Sequence, residues 1–210
     1  MRSLTKLMAM AAIIASALWS CSGGGADTLL FGKLPGVYAG MLADKEAIRE
    51  EAKSVSSASQ MKDLSEKADK LQEEWAARIE EAARGLDGRE IEFAESDITV
   101  TNPLSLTYEG FFSKSSMTPD FIVSGEAEAS ADIIPESKLP LPSYTVYIVG
   151  YDAAGQEVFA NKVGFIPAEM AGGKSVIKAG TSVDFDHLYF SEKKAEDYPK
   201  AAVLKLEVRE

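Results

Sequence analysis

The chain has 210 residues, 33 of them acidic against 22 basic, and a formal net charge of −11 at neutral pH. That length accommodates one sizeable domain plus an accessory element, and the charge excludes nucleic acid as a partner, because binding phosphate needs clustered Lys and Arg. One cysteine, Cys21, and one histidine, His187, exclude a disulfide framework and a zinc site of the usual Cys/His type.

Arg2 and Lys6 open the chain as a short positive stretch, and Leu7 to Trp19 follows as thirteen residues without a charge. That run is too short for a membrane span, which needs ~20 apolar residues, and of ordinary length for the core of a secretory signal. Leu18-Trp19-Ser20-Cys21 then resembles a lipobox, the signal of bacterial lipoproteins: Leu18 stands three residues before Cys21 and the small Ser20 directly before it. The resemblance implies a signal peptide over 1–20 and cleavage before Cys21. It also implies acyl chains on that residue, which hold the protein to a lipid bilayer; more than one chain is what stable anchoring requires. Ser22 in place of Asp after the cysteine implies the outer membrane, and the expected orientation is toward the periplasm. Loss of residues 1–20 leaves 20 basic against 33 acidic residues, a net charge of about −13. Such a surface suits basic partners or divalent cations, and equally serves solubility.

Residues 21–40 read as the lipid anchor and a flexible tether, beginning with the small residues Ser22 to Gly25. Residues 41–84 contain neither Pro nor Gly and are rich in Ala, Glu, Lys and Leu, a helical composition. Leu64, Ala68, Leu71, Trp75, Ile79 and Ala82 recur at three- and four-residue spacing, and Gly85 with Asp87-Gly88 supplies a stop. Ser57 with Gln60 fits a capping box, which predicts a break and a two-helix hairpin over 41–86. The competing form is one helix of ~65 Å at 1.5 Å per residue. Trp75 on the stripe reads as core, with an exposed sugar-stacking platform as the alternative.

After Gly88 the period changes to two. Ile91 and Phe93, Ile98 and Val100, then Leu104, Leu106 and Tyr108 alternate with polar residues, and Phe121 and Val123 begin another run. Tyr144 to Tyr151 reads as a central strand, Asp152 to Gly155 as a turn and Glu157 to Ile166 as the return strand of a hairpin. Val183, Phe185 and Tyr189 mark a further strand, and Val203 to Val208 the last. The expected fold class is therefore α+β: an N-terminal helical hairpin followed, over 89–210, by an antiparallel immunoglobulin-like β-sandwich.

Tyr151-Asp152-Ala153-Ala154-Gly155, and then Gly180-Thr181-Ser182-Val183-Asp184-Phe185, are similar to the hairpin and the strand lead-in of the immunoglobulin-like domains called FxLYD. Val149-Gly150-Tyr151-Asp152 stands where Leu-Tyr-Asp is expected. The resemblance spans about residues 120–209. It implies an accessory or adhesive module and carries no activity with it.

Catalytic constellations are scarce. A Ser-His-Asp triad would have to use His187, and neither a G-x-S-x-G elbow, an H-E-x-x-H pair nor a phosphate-binding glycine loop occurs. In Asp184-Phe185-Asp186-His187, strand alternation predicts Asp184 and Asp186 on a solvated face and Phe185 with His187 on an apolar one. Tyr147 and Tyr151 share a strand face, either lining a binding surface or buried in the sheet. The loop from Pro135 to Pro142 reads as stiff and exposed, suited to edge protection or partner contact. The expectation is a non-enzymatic envelope lipoprotein without a cofactor, metal site or catalytic residue, whose partner is another envelope protein. The alternative is a small-ligand or glycan binder serving a transporter.

Overall fold

The computed structural model describes residues 27–113, 117–137 and 140–209. Cys21, the signal peptide over 1–20 and the small residues after Cys21 lie outside the described residues. Among the described residues two α-helices, α1 (Leu34–Ala52) and α2 (Ala58–Arg84), precede the strands, so the fold is α+β with a helical hairpin ahead of the sheets. The break that separates the helices is the expected one. Ser57 Oγ accepts from the Gln60 amide at 3.3 Å, and the Gln60 side chain accepts in return from the Ser56 amide at 3.1 Å. A continuous helix is therefore interrupted at Lys53 to Ser57.

The hairpin begins earlier than its composition implies, at Leu34, which corrects the expected tether from residue 27 to residue 40. Thr28 Oγ1 donates to the Gly32 carbonyl at 3.0 Å and accepts from the Phe31 amide at 3.2 Å. This closes a tight turn that buries Leu30 and Phe31. Pro35 sits in the first turn of α1, where its missing N–H is one of the amides that have no intrahelical partner anyway. Gly40 lies inside the helix for a steric reason. A Cβ there would stand 2.7 Å from Cη2 of Trp75, so glycine lets the indole lie against the α1 backbone. Trp75 is buried, as expected of a core residue, and its Nε1 donates to Asp44 at 3.0 Å.

The sandwich contains two four-stranded antiparallel sheets. The first has the order β1-β2-β3-β9, with β1 at Glu90–Ile91, β2 at Ile98–Ser113, β3 at Thr118–Ala129 and β9 at His187–Tyr189. The second has the order β10-β4-β5-β8, with β4 at Ser143–Tyr151, β5 at Glu157–Pro167, β8 at Asp184–Phe185 and β10 at Val203–Arg209. A small hairpin of β6 (Glu169–Ala171) and β7 (Lys174–Val176) stands apart. The turn from Asp152 to Gly155 is built as its residues require. Asp152 Oδ1 accepts from the amides of Ala154 and Gln156 at 2.9 and 2.8 Å, and Gly155 takes φ +78°.

Inward residues of both sheets form one core with the base of the hairpin. Leu104, Leu106, Phe121 and Leu188 meet Val146, Ile148, Val163 and Leu206, and the same cluster takes in Phe31, Leu34, Tyr38, Met41 and Ile79. Phe31 is the pivot, with ring centroids 5.8 Å from Phe121, 5.2 Å from Phe190 and 4.8 Å from Tyr198. Tyr38 stacks on Phe190 at 4.4 Å and donates its hydroxyl proton to the Met117 carbonyl, which ties α1 to the β2–β3 turn. The hairpin's outer half differs. Over about 43–72 Leu64 is the one buried side chain, an arm of ~20 Å by the helix rise.

Candidate interaction surface

Strands β8 and β9 are separated by Asp186 alone, and there the chain changes sheet. Phe185 pairs with Gly164 of β5, whereas Leu188 pairs with Phe121 of β3. This corrects the expected alternation. Asp184 and Asp186 are exposed as predicted and Phe185 packs against the core, but His187 does not share its apolar face. After the switch Leu188 fills the interior, and His187 and Tyr189 both point outward from the first sheet.

There His187 meets Asp120. Its Nδ1 lies 2.8 and 3.0 Å from the two carboxylate oxygens. In register Asp120 stands opposite Tyr189, so the contact is diagonal, within the reach expected across a strand pair. The Asp120 side chain is 14% exposed and that of His187 41%. The hydrogen bond to Asp120 raises the imidazole pKa above its ordinary value, burial opposes this, and the charges of Asp120, Asp186 and Glu109 add to it. Among the described residues no serine hydroxyl is hydrogen-bonded to His187. Among the described residues the pair is thus a charge-assisted contact with no nucleophile attached to it.

Beside the pair lies an aromatic surface. Phe112, near the end of β2, is 67% exposed, and Tyr189 is 41% exposed. Their rings meet edge to face at 4.8 Å, and the His187 ring lies parallel to that of Tyr189 at 6.0 Å. Phe111 and Phe112 are consecutive in a strand, so one ring tucks against the core and the other must face out. Between this pair and α1 runs an open groove of about 830 Å³, lined by Leu42, Phe112, Tyr189, Phe190, Glu192 and Lys193 among others. Three parts of the fold build it: the hairpin base, the adjoining ends of β2 and β3 and the segment after β9.

The segment after β9 is held firmly. Tyr198 is buried; its hydroxyl accepts from Asn161 Nδ2 at 3.0 Å and from the Ser191 amide at 3.2 Å, and burial pushes its pKa up to about 12. Lys194 donates to the Ala160 carbonyl and to Asn161 Oδ1, and desolvation lowers its pKa. The groove's lower wall is therefore fixed to the second sheet.

Two other regions singled out in the sequence differ from this one. Tyr147 and Tyr151 lie half-buried on the outer face of β4, which corrects their placement inside the sheet. Arg209 lies over Tyr147 and Lys205 over Tyr151 at 5.9 and 5.7 Å, and Tyr151 donates to Glu207. Arg209 also holds Glu157 and Glu207 at 2.8 and 2.9 Å, so the polar groups of this face pair with one another. At the opposite pole, the proline-rich loop is pinned by the Ile133–Ile177 bridge and by Ser175, which bonds both main-chain groups of Leu141. A pocket of about 540 Å³ there is lined by Pro135, Pro140, Tyr144 and Lys174 among others. Tyr144 is 2% exposed and its hydroxyl has no hydrogen-bond partner among the described residues.

Among the described residues no group of three or more His, Cys, Asp or Glu side chains is placed to hold a metal ion, and no helix is long and apolar enough to cross a membrane. Comparison with protein-family models, curated proteins and solved structures finds no match.

Proposed function

We propose that the protein is a lipid-anchored envelope lipoprotein that works without catalysis, as a docking module for another envelope protein. Acylated Cys21 holds it in the outer membrane facing the periplasm, and the sandwich is an accessory module of the FxLYD-like, immunoglobulin-like kind. The observation that carries the docking role is the Phe112–Tyr189 pair. Two large aromatic rings held outward beside an apolar groove are the composition of an interface centre. The anchor sets the reach. Five residues separate Cys21 from Asp27, and these six Cα steps span at most ~20 Å when extended. Asp27 is in turn fixed to Arg89 at 3.0 Å, so the folded body stays close to the bilayer.

A photo-crosslinking residue at position 112, in intact cells making the full-length protein, tests this reading. One specific envelope protein should be captured from position 112 and not from position 50 on the arm. Capture should fail in the Cys21→Ala form, which lacks the anchor. Equal yields from both positions would remove the groove from the reading.

The polar pocket beneath the proline-rich loop favours a second reading, carriage of a small ligand. A buried phenol without a partner costs about 1–3 kcal/mol, and a ligand bearing an acceptor would relieve that cost at Tyr144. A thermal shift with sugars, peptides or carboxylates that disappears in Tyr144→Phe would support it; silence across the screen would count against it.

A further inference from the structure

We infer that the groove between α1 and the Phe112–Tyr189 pair takes a cationic protein segment, one that sets an apolar side chain next to Lys or Arg. This rests on the docking reading and adds to it the chemistry of the partner.

The groove supplies apolar anchoring at its centre and negative charge at its border. Leu42, Phe112 and Tyr189 offer carbon surface, and the outward ring faces also attract cations through their quadrupole. Around them stand Asp120, Asp186 and Glu109, whose charges all act on His187, and Glu192 lines the groove itself. Among the described residues the opposing cations are Lys162 and Lys193. Lys162 is drawn off at 3.8 Å to Asp186 and sits 4.0 Å from the centre of the Phe165 ring. Among the described residues, and with His187 neutral, these four carboxylates outnumber the two ammonium groups, of which Lys162 is paired with Asp186. A partner segment of the same sign would meet uncompensated repulsion, whereas a basic one would be steered in and held in register. The excess of acidic residues over the whole chain acts in the same direction at long range.

The geometry also sets the form of the partner. The groove is lined by Leu42 of α1, by Phe112 and Tyr189 of the first sheet and by the segment after β9, and beside it Asp120, Phe121 and Ile122 of β3 are already paired on both sides, with β2 and β9. Recognition therefore runs through side chains, and addition of a strand along β3 is excluded.

The test uses the full lipidated chain in non-ionic detergent and two labelled peptides, read by fluorescence anisotropy. One peptide alternates Lys and Arg with Leu and Phe; the other keeps Leu and Phe and carries Glu at every basic position. The basic peptide should bind and the acidic one should not. Binding should weaken several-fold between about 50 and about 300 mM salt, as screening shortens the reach of the rim charges. Phe112→Ser should weaken it by about tenfold, the effect of losing a central aromatic anchor. Asp186→Lys and Glu192→Lys should each weaken it, whereas Glu50→Lys, the same charge change on the distant arm, should not. Circular dichroism confirms that each variant is folded. The inference is overturned if both peptides bind alike, if Glu50→Lys acts as strongly as the groove variants, or if the basic peptide does not bind. Capture of an envelope protein from position 112 alongside any of those results would leave the docking role standing and remove its cationic partner.

Discussion

His187 gains a carboxylate partner on folding, and the sign of its effect follows. The imidazolium is favoured in the folded chain by Asp120 first, with Asp186 and Glu109 adding, so the folded pKa lies above the unfolded value of about 6.5. The stability that this pair contributes is fully present below the unfolded pKa and is lost as the pH rises through the folded one. His187→Gln should therefore lower the melting temperature at about pH 5.5 and converge with the parent protein well above pH 7, once the imidazole is neutral in both states. Thermal melts at a series of pH values check this. A gap that stays constant with pH would mean that His187 acts by packing on Tyr189 alone. Neither Asp120 nor Phe112 was legible in the sequence, and the reason is local. A pairing across two strands depends on register, and the outward member of Phe111-Phe112 is decided by bulges in β2, which shift the register between Tyr108 and Gly110 and again between Phe111 and Ser113.

The two helices show where local rules suffice and where they fail. Ser57 and Gln60 marked the break because a capping box lies within four residues, and the stripe from Leu64 to Ala82 marked α2 because 27 residues hold many helical periods. The start of α1 was hidden, since Pro35, Gly36 and Gly40 read as breakers until Trp75 supplies the reason for one of them. Strands β8 and β9, of two and three residues, are too short to show a period, so the change of sheet at Asp186 left no trace in the pattern. Gly40 gives a direct test of the interhelical contact. Helix propensity alone favours Ala over Gly by about 1 kcal/mol. The added Cβ would lie 2.7 Å from an indole that is buried and tied to Asp44, so the ring cannot simply swing aside. Gly40→Ala should accordingly destabilise the protein by about 1–3 kcal/mol, the usual cost of overpacking. Urea unfolding followed by fluorescence of Trp75 measures it. An unchanged or raised midpoint would show that the helices separate freely.

At the scale of the molecule, hairpin and sandwich stand or fall together because Phe31 belongs to both. Its ring is fully buried among Phe121 of the first sheet, Phe190 after β9 and Tyr198, which itself rests on Phe159 of the second sheet. Residues from the turn before α1 thus close the end of the sandwich, and Tyr38 and Met41 continue the seal one and two turns further on. Phe31→Ala removes that plug and should cost about 3–5 kcal/mol, as for other buried aromatics. Helical and strand signals should be lost in one transition, because neither the hairpin base nor the open end of the sandwich has a separate core. The arm is the exception. From about residue 43 to 72 it rests on Leu64 and on exposed ion pairs such as Lys67 with Glu51, each of which contributes ~0–1 kcal/mol. Trypsin should therefore cut the native protein first at Lys62, Lys67 or Lys70. Arg78 and Arg84, beside the buried Trp75, Ile79 and Ala83, should be cut only on global unfolding. Phe31→Ala should then raise cleavage at the two arginines by a large factor while leaving the arm sites almost unchanged. Equal acceleration at all five positions would mean that arm and base open as one unit, and the arm would then have to be held by contacts stronger than its exposed ion pairs.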